Sequence, residues 1–177
     1  MKKTLIERIE VGSGGAASIT FSAIPADYTD LYLVLSVRTN NTIAHVDGKI
    51  TFNANTSNYS RLNLYGTGSG VFTTSAANQM AFFDTSSAGS RTANTFANVQ
   101  IYIPNYASSN YKSYSSDGGE ENNAAAAIMG IWAGLWSDTS AITEIKLEDY
   151  NGGSWVQYSS ASLYGVTSGS DGTTTVS

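Results

Sequence analysis

The feature that most constrains this chain is a period of two in its apolar residues. In Leu31-Tyr32-Leu33-Val34-Leu35-Ser36-Val37-Arg38 every odd position is aliphatic, and the even positions turn polar towards Arg38. Val99, Ile101 and Ile103 alternate with Asn98, Gln100 and Tyr102. Ile131, Ala133 and Leu135 alternate with Trp132, Gly134 and Trp136, and Ile145 and Leu147 with Glu144, Lys146 and Glu148. Successive side chains of a strand point to opposite faces, so each run lays one apolar face on a core. Shorter runs of this kind fall at 3–10, 18–22, 48–54, 61–66, 80–84, 111–115, 154–158 and 160–166. No long segment shows the three-to-four spacing of a helix. Residues 124–127 are alanines with helix propensity, but Gly130 and Gly134 follow and Trp132/Trp136 suit a strand, so this segment also reads as strand.

Turn chemistry separates the runs. Gly12-Ser13-Gly14-Gly15, Asp47-Gly48, Gly66-Thr67-Gly68-Ser69-Gly70, Asp117-Gly118-Gly119 and Asn151-Gly152-Gly153 all offer residues that accept positive φ. The clearest hairpin joins a strand ending near Tyr150 to one starting at Ser154. About ten short strands without helices predict an all-β antiparallel β-sandwich, jelly-roll-like in its winding. The stretch 67–93 is poor in aliphatic residues and reads as a long excursion. Residues 1–166 form one sandwich domain on this reading, and 167–177, with Val176 as the one large apolar residue, form a flexible C-terminal tail. Tyr59-Ser60 with Leu64-Tyr65-Gly66 is echoed by Tyr158-Ser159 with Leu163-Tyr164-Gly165. Either two equivalent strands or the Ser/Tyr/Gly-rich composition accounts for the echo.

Composition narrows the functions open to such a fold. The 177 residues suffice for one well-buried domain. Only 13% are charged, against about 25% in ordinary soluble domains, while Ser, Thr and Asn fill about a third of the chain. Nine scattered Lys and Arg against 14 Asp and Glu argue against a nucleic-acid partner, because phosphate neutralisation needs clustered cations. The absence of Cys removes disulfides, thiol nucleophiles and zinc–thiolate sites. No stretch approaches the ~20 apolar residues of a membrane span. Met1-Lys2-Lys3 resembles the start of an export signal, but Glu7, Arg8 and Glu10 interrupt what would be its apolar part.

The candidate chemical sites are weak. Gly12-x-Gly14-x-x-Ala17 matches a dinucleotide fingerprint in form, but Ser18-Ile19-Thr20-Phe21 follows as strand where a helix is required, so a hairpin turn is expected. His45 is the sole histidine and sits in a polar, turn-like segment, with no Gly-x-Ser-x-Gly elbow anywhere. Glu144 and Glu148 share a strand face but would stand roughly 13 Å apart, beyond the ~5–9.5 Å of glycosidase carboxylate pairs. Asp117-Gly118-Gly119-Glu120-Glu121-Asn122-Asn123 holds oxygen ligands without calcium-loop spacing and reads as a solvated acidic loop. No catalytic, cofactor-binding or metal-binding set is therefore expected. Trp132, Trp136 and Trp155, among eleven Tyr, are the remaining candidates, as core, subunit interface or glycan-stacking platform.

Several segments, taken together and in order, resemble a known group. They are Val11-Gly12-Ser13-Gly14-Gly15, Ile24-Pro25-Ala26-Asp27-Tyr28-Thr29-Asp30-Leu31, Phe52-Asn53-Ala54-Asn55-Thr56 and Leu64-Tyr65-Gly66. Ile101-Tyr102-Ile103-Pro104-Asn105-Tyr106, Ala133-Gly134-Leu135-Trp136-Ser137 and Ser162-Leu163-Tyr164-Gly165-Val166 belong to the set, as do Ile19-Thr20-Phe21, Asn58-Tyr59-Ser60, Glu121-Asn122-Asn123 and Ala141-Ile142-Thr143. The ordering, over residues 10–166, resembles small virion-associated structural proteins of tailed phages, of the aquatic and cyanobacterial phage type. The group usually carries Gly where Ala54 stands and often Ile where Val166 stands. The resemblance implies a virion component without enzymatic activity. It points to a capsid decoration (cement) protein that binds the major capsid protein or other virion proteins as a homo-oligomer, commonly a trimer. The alternative is a receptor- or glycan-binding head domain of a tail or head fibre.

Overall fold

The computed structural model describes residues 2–43, 46–87, 91–121 and 127–167, with backbone alone for 81–87. Twelve strands follow in order: β1 (Lys2–Glu10), β2 (Ser18–Phe21), β3 (Asp30–Thr39), β4 (Val46–Phe52), β5 (Tyr59–Gly66) and β6 (Val71–Ala77), then β7 (Ala81–Ser87), β8 (Ala97–Ile103), β9 (Lys112–Glu120), β10 (Ile128–Trp136), β11 (Ile145–Asp149) and β12 (Ser160–Thr167).

Their pairing is nested. β1 pairs with β12, β2 with β11, β3 with β8 and β4 with β7, all antiparallel. This is one long hairpin, and it is rolled up, because β12 also pairs with β3 and β11 with β4. The result is a jelly roll with faces β1-β12-β3-β8 and β2-β11-β4-β7. Two hairpins are added to it, β5–β6 at the tip of the long hairpin and β9–β10 between β8 and β11. They extend the first face to eight strands, β1-β12-β3-β8-β9-β10-β5-β6. A two-residue parallel contact of β3 with β7, Arg38↔Ser86 and Thr39↔Ser87, joins the faces at one corner.

The core lies between the faces, as the period-two pattern requires. Leu31, Leu33, Leu35 and Val37 of β3 with Val99, Ile101 and Ile103 of β8 are buried, as are Ile19, Phe21, Ile50, Phe52, Ile145 and Leu147 of the smaller sheet. Each such side chain contributes about 1.5–3 kcal/mol by leaving water. Phe52 crosses between the sheets, meeting Tyr114 edge-on at 5.8 Å and Trp136 at 5.6 Å between ring centroids.

The local expectations are corrected in several places. Asp47-Gly48 and Gly118-Gly119 lie inside β4 and β9 and are not turns. The turn at Gly12–Gly15 closes with a 3.0 Å bond from Gly15 N to Gly12 O, but β1 and β2 belong to different sheets, so it is not a hairpin. The excursion at 67–93 contains β6 and β7. β6 is an edge strand exposed along almost its whole length, and so it needs no apolar face. The segment 154–158 forms no strand, because after the Asn151-Gly152 turn only Trp155 bridges, to Ala16 and Thr39. The Tyr echo is not structural equivalence: Tyr59 is buried in β5, while Tyr158 is exposed outside β12 at φ 71°. The alanines at 124–126 and the tail from 168 onward lie outside the described residues, and Thr167 closes β12 opposite Lys2.

Candidate functional site

Cross-strand register places the outward side chains of the large sheet in rows. One row crosses all eight strands: Thr73, Leu64, Ile131, Asp117, Gln100, Val34, Ser162 and Arg8. Its apolar members are Leu64 and Ile131, side by side near one end, with Val34 alone further along. Around Leu64 and Ile131 the same face carries Leu62, Met129 and Val71, all exposed, with Met129 at 71% and Val71 at 75%. Alternation explains the placement, since Leu62 and Leu64 point to the opposite face from Asn63 and Tyr65, and Ile131 to the opposite face from Trp132. Single exposed aliphatic residues are ordinary on a soluble surface, whereas a contiguous group on three adjacent strands marks a contact surface. Shallow troughs of about 410 Å³ beside Leu62, Leu64 and Ile131, and about 820 Å³ beside Gln100, Gly119 and Met129, run along this face.

The opposite face of the same hairpins is different. Arg61, Asn63 and Tyr65 of β5, Thr74 of β6 and Trp132 of β10 line a cleft of about 320 Å³, closed by Asp47 of β4 and by Tyr150 and Asn151 after β11. Arg61 forms an ion pair with Asp47 at 3.1 Å and donates from Nε to Gln79 Oε1 at 2.7 Å. Thr74 Oγ1 donates to Asn63 Oδ1. Tyr65 stacks on Trp132 at 6.1 Å and on Phe72 at 5.4 Å.

The three tryptophans are enclosed. Trp132, Trp136 and Trp155 are between 1% and 3% exposed, so in this chain they are core residues and form no exposed stacking platform. Trp155 donates from Nε1 to Leu147 O at 3.1 Å, and Trp136 packs flat against Tyr59. Trp132 forms the floor of the polar cleft.

The remaining candidates serve structure or fall outside the description. His45 lies outside the described residues. Glu148 is held between Lys49 at 3.0 Å and Lys146 at 2.7 Å. Partial burial works to raise its carboxyl, but the hydrogen bonds from the two lysines outweigh this and hold it below the ordinary glutamate value. Glu144 stands just outside β11, where its backbone N–H donates to Asn53. Glu120, expected in a solvated loop, is buried at the end of β9 and pairs with Arg91 at 2.9 Å. Arg38 lies nearby and donates to the carbonyls of Arg91, Thr92 and Thr95. Burial lowers the Arg38 guanidinium and the charge of Glu120 raises it back in part. Among the described residues no three His, Asp or Glu side chains gather as they would around a metal ion. The polar cleft and the buried Arg91–Glu120 pair were not found from sequence, because each joins residues far apart in the chain that carry no local spacing signal.

The fold and its surfaces together define a jelly-roll β-sandwich with one apolar outer face and one polar cleft. Comparison with protein-family models, with curated proteins and with solved structures finds no match for the chain.

Proposed function

We propose that this protein is a structural component of a tailed-phage virion without enzymatic activity: a capsid decoration (cement) protein that binds the capsid surface as an oligomer. The observation that carries the reading is the exposed apolar face formed by Leu62, Leu64, Val71, Met129 and Ile131. A face of this kind is covered in the working assembly, and we assign copies of the same chain as its cover, a trimer being the expected form. The major capsid protein or another virion protein is then met by the remaining surface, with modest contacts multiplied by the number of subunits. The resemblance to virion-associated proteins supports the setting. Jelly rolls serve viral capsids and lectins alike, so the fold alone does not select between them.

The test is made on virions. Particles lacking the protein are expected to lose resistance to heat and to chelator, and a cryo-electron reconstruction is expected to place it on the head. Undiminished resistance together with a position on the tail would refute the cement reading. The alternative, a receptor- or glycan-binding head of a tail or head fibre, needs a sugar-facing surface other than the three buried tryptophans.

A further inference from the structure

We infer that the cleft between the β5–β6 hairpin and the β11 turn is a binding site for a neutral saccharide of one or two rings. This goes beyond the assembly reading and stands if that reading fails, because it uses the other face of the hairpins.

Four observations converge on that ligand. The volume, about 320 Å³, lies at the small end of the range for ligand pockets, roughly 300–1,000 Å³. The described lining is polar and balanced in charge: Arg61 is tied to Asp47 and to Gln79, so no described side chain of the cleft is an unopposed cation for a phosphate or an unopposed carboxylate for an amine. Amides, a hydroxyl and a carboxylate–guanidinium pair are the groups that bond a row of ring hydroxyls, each of which both donates and accepts. The fourth observation is Asn63, which is only 4% exposed. Its Oδ1 accepts from Thr74, while its amide NH2 has no partner among the described residues. That amide lines the cleft, where a ligand hydroxyl would accept from it in place of water.

The walls are fixed in advance. Tyr150, 40% exposed, presents a ring at the mouth of the cleft, suited to the C–H face of a pyranose. Its backbone N–H donates to Asp47 O at 3.0 Å, and Asn151 N donates to Asp149 Oδ1 at 2.7 Å. Asp149 is itself buried and accepts from Thr39 Oγ1. The floor is Tyr65 stacked on Trp132, with Phe72 backing Tyr65 from outside the lining. A turn so tied needs little ordering on binding, which favours affinity for a small ligand.

The experiment titrates the full chain with neutral di- to tetrasaccharides of the β-1,4-glucan, α-1,4-glucan, mannan, xylan and galactan types, following tryptophan fluorescence and calorimetry. At least one series is expected to bind saturably and to perturb Trp132. Tyr150→Ala and Asn151→Ala should each weaken it tenfold or more at an unchanged melting temperature, while Leu64→Lys should leave it intact. No saturable binding at millimolar sugar overturns the inference. So does binding indifferent to both cleft variants, or a preference for sulfated or sialylated sugars. Oligomeric mass, measured on the same samples, reports separately on the assembly reading.

Discussion

At the scale of single residues, close approach explains positions that composition leaves mute. Gly134, on the inner side of β10, lies under the ring of Tyr114. A Cβ built there would stand 1.9 Å from the ring carbon Cζ and 2.4 Å from the hydroxyl oxygen. Tyr114 is buried and edge-on to Phe52, so the ring can yield only by shifting within the packed core. Gly134→Ala is therefore expected to destabilise the fold by about 1–3 kcal/mol, the usual cost of overpacking, read as a lower urea midpoint with an unchanged slope. Tyr114→Leu in the same background should recover part of the loss, because it removes the clashing ring. An undiminished midpoint for Gly134→Ala alone would show that the ring yields freely. Glycine's absence is informative too. Ala54 sits at φ 55°, beside Asn53 at 51°, in the left-handed region that a side chain disfavours. The turn is held there by Asn53, whose Oδ1 accepts from the N–H groups of Thr143 and Glu144 and whose Nδ2 donates to Ala141 O.

At the scale of elements, alternation made the strands legible wherever one face is buried. β3, β8 and β11 show it in sequence and in burial alike. It failed where no face is buried, as in β6, and where a strand is assembled from Gly and Asp that ordinarily make turns, as at the end of β9. Charge pairing across elements was illegible for a different reason: Lys49 of β4 meets Glu148 of β11 only because the long hairpin is rolled. That pairing has a pH signature. The folded-state carboxyl of Glu148 titrates below its unfolded value of about 4.5. Its contribution is thus fully present above pH 4.5 and is lost as the pH falls through the lower folded value. The side chains are partly exposed, so the pair is worth at most about 1 kcal/mol. Asp138 is also lowered, chiefly by the backbone N–H of Ser140, and acts in the same direction. Glu148→Gln should accordingly flatten, without abolishing, the fall in denaturant midpoint from pH 5 to pH 3 (about the interval over which a shifted carboxylate titrates). Stability curves that stay parallel across that interval would exclude the pair as a source of the slope.

At the scale of the whole molecule, the winding was expected in outline but its closure was not readable. β1 pairs with β12, from opposite ends of the described chain, and no local pattern encodes a pairing at that separation. The extension of one sheet to eight strands was equally hidden, and it is the extension that creates both surfaces of interest. The large sheet outgrows the four-strand sheet, so β5, β6 and β10 carry an apolar face outward and a polar one inward towards the cleft. If copies of the chain bury the apolar face against one another, folding and association are linked, and stability depends on protein concentration. The thermal midpoint of the wild-type chain should then rise with each tenfold increase in concentration, and light scattering should give a multiple of the 18.7 kDa chain mass. Leu64→Lys and Ile131→Lys set a cation in the middle of the face on adjacent strands. Both side chains point to solvent within one subunit, so the subunit fold should survive with its circular-dichroism spectrum unchanged. The variants are expected to run as monomers whose midpoint no longer moves with concentration. A wild-type midpoint independent of concentration, with monomeric mass, would show that this face is not covered by copies of its own chain.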